Sequence, residues 1–284
     1  IGAGLISIAV PELITGWFPP EKRGMPTGFW SSWQYIGQAI CFSAGAGVAE
    51  RFGWKGVWIL GLCLSCLALI LNLLFVRMPS GALQSEEGNK EVGNEKQILG
   101  VLTNRSTWLI SIAIFCFCVS SFGFISWISL YWEKVLGISM LEANRYVSLF
   151  AASSIPMILI VGWILDRVNR KRFCVITFGL YACIAAGGFS LTSSYWLLPF
   201  VIGYAFLESA VITSLWTIIA QTVERTSEIG MAIALLTLCS NVGMLVGPPG
   251  IGMCVETLGW TATAIAVGVV SFAGGLSVYI SKLK

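Results

Sequence analysis

Long apolar runs separated by short polar loops set the character of this chain. They fall at about 1–18, 28–49, 56–76, 108–132, 146–165, 173–192, 196–221, 229–251 and 260–281. A hydrocarbon core of ~30 Å needs about 20 apolar residues per helix, so the pattern predicts about nine membrane-crossing helices. The runs are too long and too continuous for barrel strands, which alternate at every second residue. The expected fold class is all-α, a polytopic membrane helical bundle.

One segment breaks the pattern. Between Arg77 and Arg105 the chain is rich in Glu, Asn, Gly and Lys, with little to bury. It reads as a solvated linker over 77–106. Before it, residues 1–76 carry about three helices; after it, residues 107–284 carry about six.

Composition agrees. The 284 residues are 56% hydrophobic and 11% charged, which excludes an ordinary soluble domain. Charge then gives orientation. With Lys282 and Lys284 placed in the cytoplasm, only Arg51, Lys55, Lys134 and Arg145 of the 17 basic residues fall outside. That asymmetry is the one expected of cytoplasmic loops, so the 77–106 linker and the C-terminus are expected in the cytoplasm of a multi-pass cell-membrane protein. The net charge of +3 reflects topology, and no nucleic-acid patch stands out. An odd number of spans puts Ile1 outside. The chain opens without Met inside an apolar run, which reads as a fragment lacking upstream helices.

The nine cysteines lie in or at the ends of apolar spans, and the chain has no histidine. Cys63 and Cys66 have a redox-motif spacing, but inside a membrane helix small apolar packing is the better reading. Neither a metal site nor a cofactor is expected. Asn104-Arg105-Ser106 matches a glycosylation acceptor, yet the topology puts it in the cytoplasm. No G-x-x-x-x-G-K-[ST] loop occurs, so direct nucleotide drive and enzymatic chemistry are not expected.

The candidate chemistry is polar and sits at mid-depth. Glu208 interrupts the run VIGYAFLESAVITSLW. A carboxylate there costs about 2.5–3.5 kcal/mol on insertion scales, so such groups usually pair, face a water-filled cavity or carry protons. At ~1.5 Å per residue, Glu208 lies about 18 Å from Trp196, Gln38 about 19 Å from Met25 and Asn241 about 18 Å from Ile229. Gln34 is one turn from Gln38. No Lys, Arg or His of this chain lies at the depth of Glu208, which leaves the solute or upstream helices to supply a cation. Hydrogen bonding between helices is the competing reading for Gln34, Gln38 and Asn241. Glu12, near the inner boundary, reads as structural. Trp30, Trp33, Trp127, Tyr131 and Trp216 are aromatic candidates for stacking, with Trp127 and Tyr131 assigned to an outer aromatic belt. The stretch from Gly243 to Gly250, with Pro248 and Pro249, allows close helix contact and a bend.

A repeat connects the two sides of the linker. Gly24, Met25, Gly37, Glu50, Gly53 and Trp54 recur 206 residues later as Gly230, Met231, Gly243, Glu256, Gly259 and Trp260. Such parallel half-repeats build some transporters.

The motifs resemble one family. WFPPEKRG at 17–24 resembles the inner loop between helices four and five of the major facilitator superfamily, and IGAG at the start resembles the tail of its helix-four motif. GWILDRVNRKR at 162–172 resembles its signature loop between helices eight and nine. WISLYWEKVLGIS at 127–139 resembles the outer end of helix seven in permeases for organic anions. The resemblance implies a twelve-helix fold of which about the first three helices are missing. It implies that Gly162, Asp166, Arg167, Arg170 and Lys171 form a conformational latch, with Asn169 in place of a glycine keeping the turn through a left-handed backbone. It also implies that Glu208, Gln34, Gln38 and Asn241 line or approach a solute cavity.

The expected function is secondary active transport of a small solute by alternating access, with proton coupling through Glu208, by a monomer. One alternative is a non-transporting solute sensor on the same fold. Another is a drug-efflux antiporter, disfavoured because Cys41–Gly47 lacks the proline of the antiporter signature.

Overall fold

The structure, a computed structural model, describes residues 33–75, 100–223 and 226–282. The readings that fall on Glu12, Trp30, the loop at 17–24 and most of the linker lie outside the described residues. The chain divides into two compact units, Ile1–Val92 and Gly93–Lys284.

In the first unit, α1 spans Trp33–Phe75 and breaks at Gly53, where φ is 67° and ψ −178°. Only glycine adopts that backbone without strain. The break falls between the two runs expected at 28–49 and 56–76. The membrane-length stretch Gly47–Phe75 is largely apolar and, among the described residues, exposed along most of its length. A helix of that kind suits lipid.

The second unit contains α2 (Arg105–Leu136), α3 (Met140–Leu165), α4 (Arg170–Gly188), α5 (Leu197–Ile218) and α6 (Thr226–Ile280). Short 3-10 turns at Ser194–Trp196 and Ile219–Thr222 flank α5. α6 breaks at Gly259, with φ 79° and ψ 178°, the conformation of Gly53. The repeated E-x-x-G-W motif thus makes the same backbone turn in each unit. Five helical stretches among the described residues are long and apolar enough to cross a membrane.

Helix starts follow their sequence signals. Asn104 caps α2 by accepting from the amides of Ser106 and Thr107, while its own amide donates to the Thr222 carbonyl at 2.7 Å. Both the oxygen and the nitrogen of its side chain are engaged, so the apparent glycosylation motif serves as a helix cap. Ser139 caps α3 through the Glu142 amide, in an S-x-x-E pattern.

In this unit α2 and α4 pack along α6, α5 packs against α3 and α4, and α3 also touches α2. Glycine makes the α2–α6 approach possible. A Cβ on Gly243 would lie 2.7 Å from the Phe115 carbonyl oxygen, and one on Gly247 would lie 2.6 Å from that of Val119. Close helix contact over small residues is the usual membrane solution. Trp127 crosses the same seam, its indole N–H donating to the Pro248 carbonyl at 2.8 Å.

Aromatic rings fill the interior between α2, α4 and α5. Tyr204 stacks on Phe124 at 4.7 Å and meets Phe150 edge-on at 5.2 Å. Tyr131 is buried against Phe189 and Trp260 and donates to the Leu191 carbonyl. Trp127 and Tyr131 are therefore internal tie points. The outer-belt assignment fails for both because each polar tip finds a backbone acceptor inside the bundle, which removes its need for the interface.

Candidate functional site

Glu208 projects from the middle of α5 into the second unit and is 5% exposed. The Ser121 hydroxyl on α2 donates to its Oε1 at 3.2 Å. Burying a carboxylate demands such donors. Glu208 is within electrostatic reach of Cys118, Tyr181 and Tyr204.

Beside it runs a chain of hydroxyls. The Tyr204 and Tyr181 oxygens are 3.1 Å apart, Tyr181 is 3.3 Å from Ser120 Oγ, and Ser120 Oγ is 2.7 Å from Ser271 Oγ. The chain joins α5, α4, α2 and α6. Ser271 also donates to the Val267 carbonyl at 2.8 Å, and in each of the three hydroxyl pairs either oxygen can be the donor. All four members are buried.

Tyr204 precedes Glu208 by four residues and shares its face of α5. Ser120 belongs to the hydroxyl chain, and Ser121 holds the carboxylate while also interacting with the Tyr181 and Tyr204 hydroxyls. Neither tyrosine nor any of these serines was a site expectation. The readable signal was modest: a Ser-Ser pair in an otherwise apolar run on α2, and a tyrosine one turn from the acid.

The other mid-depth residues lie elsewhere. Asn241 is exposed on α6 and has no part in the Glu208 cluster. Gln34 and Gln38 are half-buried on α1, in the first unit. Gln38 Oε1 is a buried acceptor with no hydrogen-bond partner among the described residues.

The signature loop is ordered by local bonds. The Asp166 amide donates to the Gly162 carbonyl at 3.3 Å, closing α3. Asp166 is therefore a C-terminal cap, and its carboxylate faces Arg170 at 3.8 Å as an exposed ion pair. Arg167 folds back on α3, donating to the Trp163 carbonyl at 2.9 Å with its guanidinium 3.8 Å from the indole centre. Asn169 has φ −67° and ψ 106° and caps α4 through the Arg172 amide. The expected left-handed turn at Asn169 is absent: the side chain replaces a glycine by capping, with the backbone extended. Lys171 reaches across to the Ser281 carbonyl.

These features define a class first: a multi-pass membrane protein built as an all-α bundle, with a buried acid and a basic loop at one end. The Major Facilitator Superfamily pattern matches residues 1–226 and 147–283. The chain belongs to that superfamily. It is 24% identical over 295 residues to a probable galactarate/D-glucarate transporter of Bacillus subtilis (strain 168), covering 94% of this chain and 64% of that protein. It is 27% identical over 216 residues to a membrane sensor protein of Salmonella typhimurium, covering 69% of this chain and 47% of the sensor. The chain thus spans about half to two thirds of the length of these relatives. Among solved structures it resembles a bacterial homologue of the human lysosomal transporter Spinster in an inward-facing, unoccupied conformation. The TM-score is 0.68 at 17% identity, over 98% of this chain and 73% of that one. It also resembles the Escherichia coli fucose:proton symporter, with TM-score 0.67 at 11% identity over 100% of this chain and 75% of the other. Likeness at these identities concerns the fold.

Proposed function

We propose that the chain is the greater part of a secondary active transporter that moves a small hydroxylated organic anion by alternating access, coupled to protons through Glu208. The observation that carries the reading is the buried carboxylate of Glu208, held by Ser121 beside a chain of buried hydroxyls. A group so placed can exchange a proton while the surrounding donors absorb the change in charge. The solute class draws support from relatives named for galactarate or D-glucarate, D-galactonate, hexuronate and hexose phosphate. Each is a polyhydroxylated anion.

In this reading Gln34, Gln38 and Asn241 offer hydrogen bonds to the solute's hydroxyls, with Gln38 Oε1, which has no hydrogen-bond partner among the described residues, as the first acceptor. Gly162, Asp166, Arg167, Arg170 and Lys171 act as a latch. The ion pair between Asp166 and Arg170 is long and exposed, so it can break at little cost. Residues 1–76 and 107–284 belong to two half-bundles joined by a cytoplasmic linker over 77–106, and the protein works as a monomer in the cell membrane.

A second reading, a sensor that binds the solute without moving it, is favoured by the two relatives named as membrane sensor proteins. The test is reconstitution of the full-length protein into vesicles with a trapped pH indicator. Hexuronate, galactarate and hexose phosphate are then added in turn. Solute entry with a matching change of internal pH is expected. Saturable binding with no entry would replace transport by sensing.

A further inference from the structure

The pole of the second unit that carries the signature loop contains a basic cavity, two of whose lining residues, Arg170 and Lys171, also belong to the proposed latch. Its volume is about 790 Å³, and Asn169, Arg170, Lys171, Arg172, Gln221 and Lys282 are among its lining residues. Four of these are cations, and among the described residues the lining includes no carboxylate. Asp166, which faces Arg170, lies outside the lining.

The walls are set by bonds between distant parts of the chain. The Lys171 ammonium donates to the Ser281 carbonyl at the end of α6, across 110 residues. The Lys282 amide donates to Ser106 Oγ at 3.1 Å at the start of α2. One Lys171 donor serves Ser281; an ammonium has three, and the others are directed by the same anchoring. Arg172 and Lys282 are exposed at the mouth, and the Arg172 amide is already capped by Asn169. An incoming anion would therefore meet side-chain cations, one of them fixed. Ammonium and guanidinium groups around an open cavity suit a phosphate group with a polar substituent.

We propose that this cavity binds a phosphate group, either of an anionic lipid headgroup at the membrane surface or of free phosphate, and thereby ties the start of α4 to the end of α6. The exposed Trp163 beside Arg167 suits a location at the membrane interface.

The full-length protein and its R172Q/K282Q variant, with Arg145→Gln as a control outside the cavity, are placed in nanodiscs containing phosphatidylglycerol or only phosphatidylcholine. Melting temperatures are recorded in both, and in detergent with and without inorganic phosphate. Loss of roughly 1 kcal/mol per cation near a lipid surface predicts at least about tenfold weaker phosphatidylglycerol binding in the double variant. The Arg145→Gln protein should bind as wild type, and Arg172→Lys should retain most of the effect. Stabilisation by phosphatidylglycerol alone identifies the lipid as the source. Stabilisation by inorganic phosphate that is likewise lost in R172Q/K282Q identifies a soluble phosphate. Absence of both effects, or their persistence in R172Q/K282Q, overturns the proposal.

Discussion

Replacing Gly247 by alanine puts a methyl group against backbone. Its Cβ would stand 2.6 Å from the Val119 carbonyl oxygen, 3.0 Å from Val119 Cα and 3.2 Å from the Gly123 nitrogen. None of these can rotate aside, so α2 and α6 must separate. Overpacking of this kind costs about 1–3 kcal/mol. Alanine recovers about 0.5–1 kcal/mol by its better helix propensity, which leaves a net loss of ~1–2 kcal/mol. Gly250 is the internal control. It lies three residues on in the same helix, and a Cβ there meets nothing within 4 Å. Gly250→Ala should be neutral or stabilising by up to ~1 kcal/mol. The assay is thermal unfolding of both variants in one detergent, followed by loss of the monodisperse peak in size-exclusion chromatography. Gly247→Ala should melt several degrees below Gly250→Ala. Equal melting temperatures would refute the claim that glycine is there for backbone approach.

Three further outcomes follow from the same geometry. Asn104→Ala removes the cap on two α2 amides and the bond to Thr222, and should cost about 1–2 kcal/mol in the same unfolding assay. Asp166→Asn breaks only an exposed pair, so stability should change by less than ~1 kcal/mol while the transport rate falls; a fall in both together would make the loop a fold anchor. Tyr181→Phe interrupts the hydroxyl chain between Tyr204 and Ser120 and leaves both with a lost partner, at a cost of about 1–3 kcal/mol. Solute-linked proton movement should slow more than solute exchange in that variant, measured as separate fluxes in proteoliposomes.

Much of the fold was legible because lipid imposes simple rules. Apolar length marks the helices, and the repeated Gly53 and Gly259 fall at the breaks between them. Glu208 was legible for the same reason: a charge in an apolar run has few uses. Its partners were not. Serine and tyrosine are common in membrane helices, and nothing in their spacing tells whether they face lipid, a neighbouring backbone or each other. Ser120 and Ser121 are adjacent, and both serve the polar cluster around Tyr181, Tyr204 and Glu208. Trp127 and Tyr131 misled the reading because an amphipathic ring suits an interface and an internal carbonyl equally well. Asn169 misled it in another way, since asparagine can replace glycine in a left-handed turn or cap a helix, and the cap won. Asn241 lies exposed on α6, apart from the Glu208 cluster, because depth along a helix does not specify azimuth.

The most direct test of the central claim is the Glu208→Gln variant of the full-length protein in proteoliposomes, with solute uptake measured against external pH. Glutamine keeps the size of the side chain and can still accept from Ser121, so the bundle should hold. The account predicts that solute exchange without a proton gradient continues while uptake loses its response to the gradient. Uptake that still follows the gradient with the wild-type pH profile would contradict it and return Glu208 to a purely structural role.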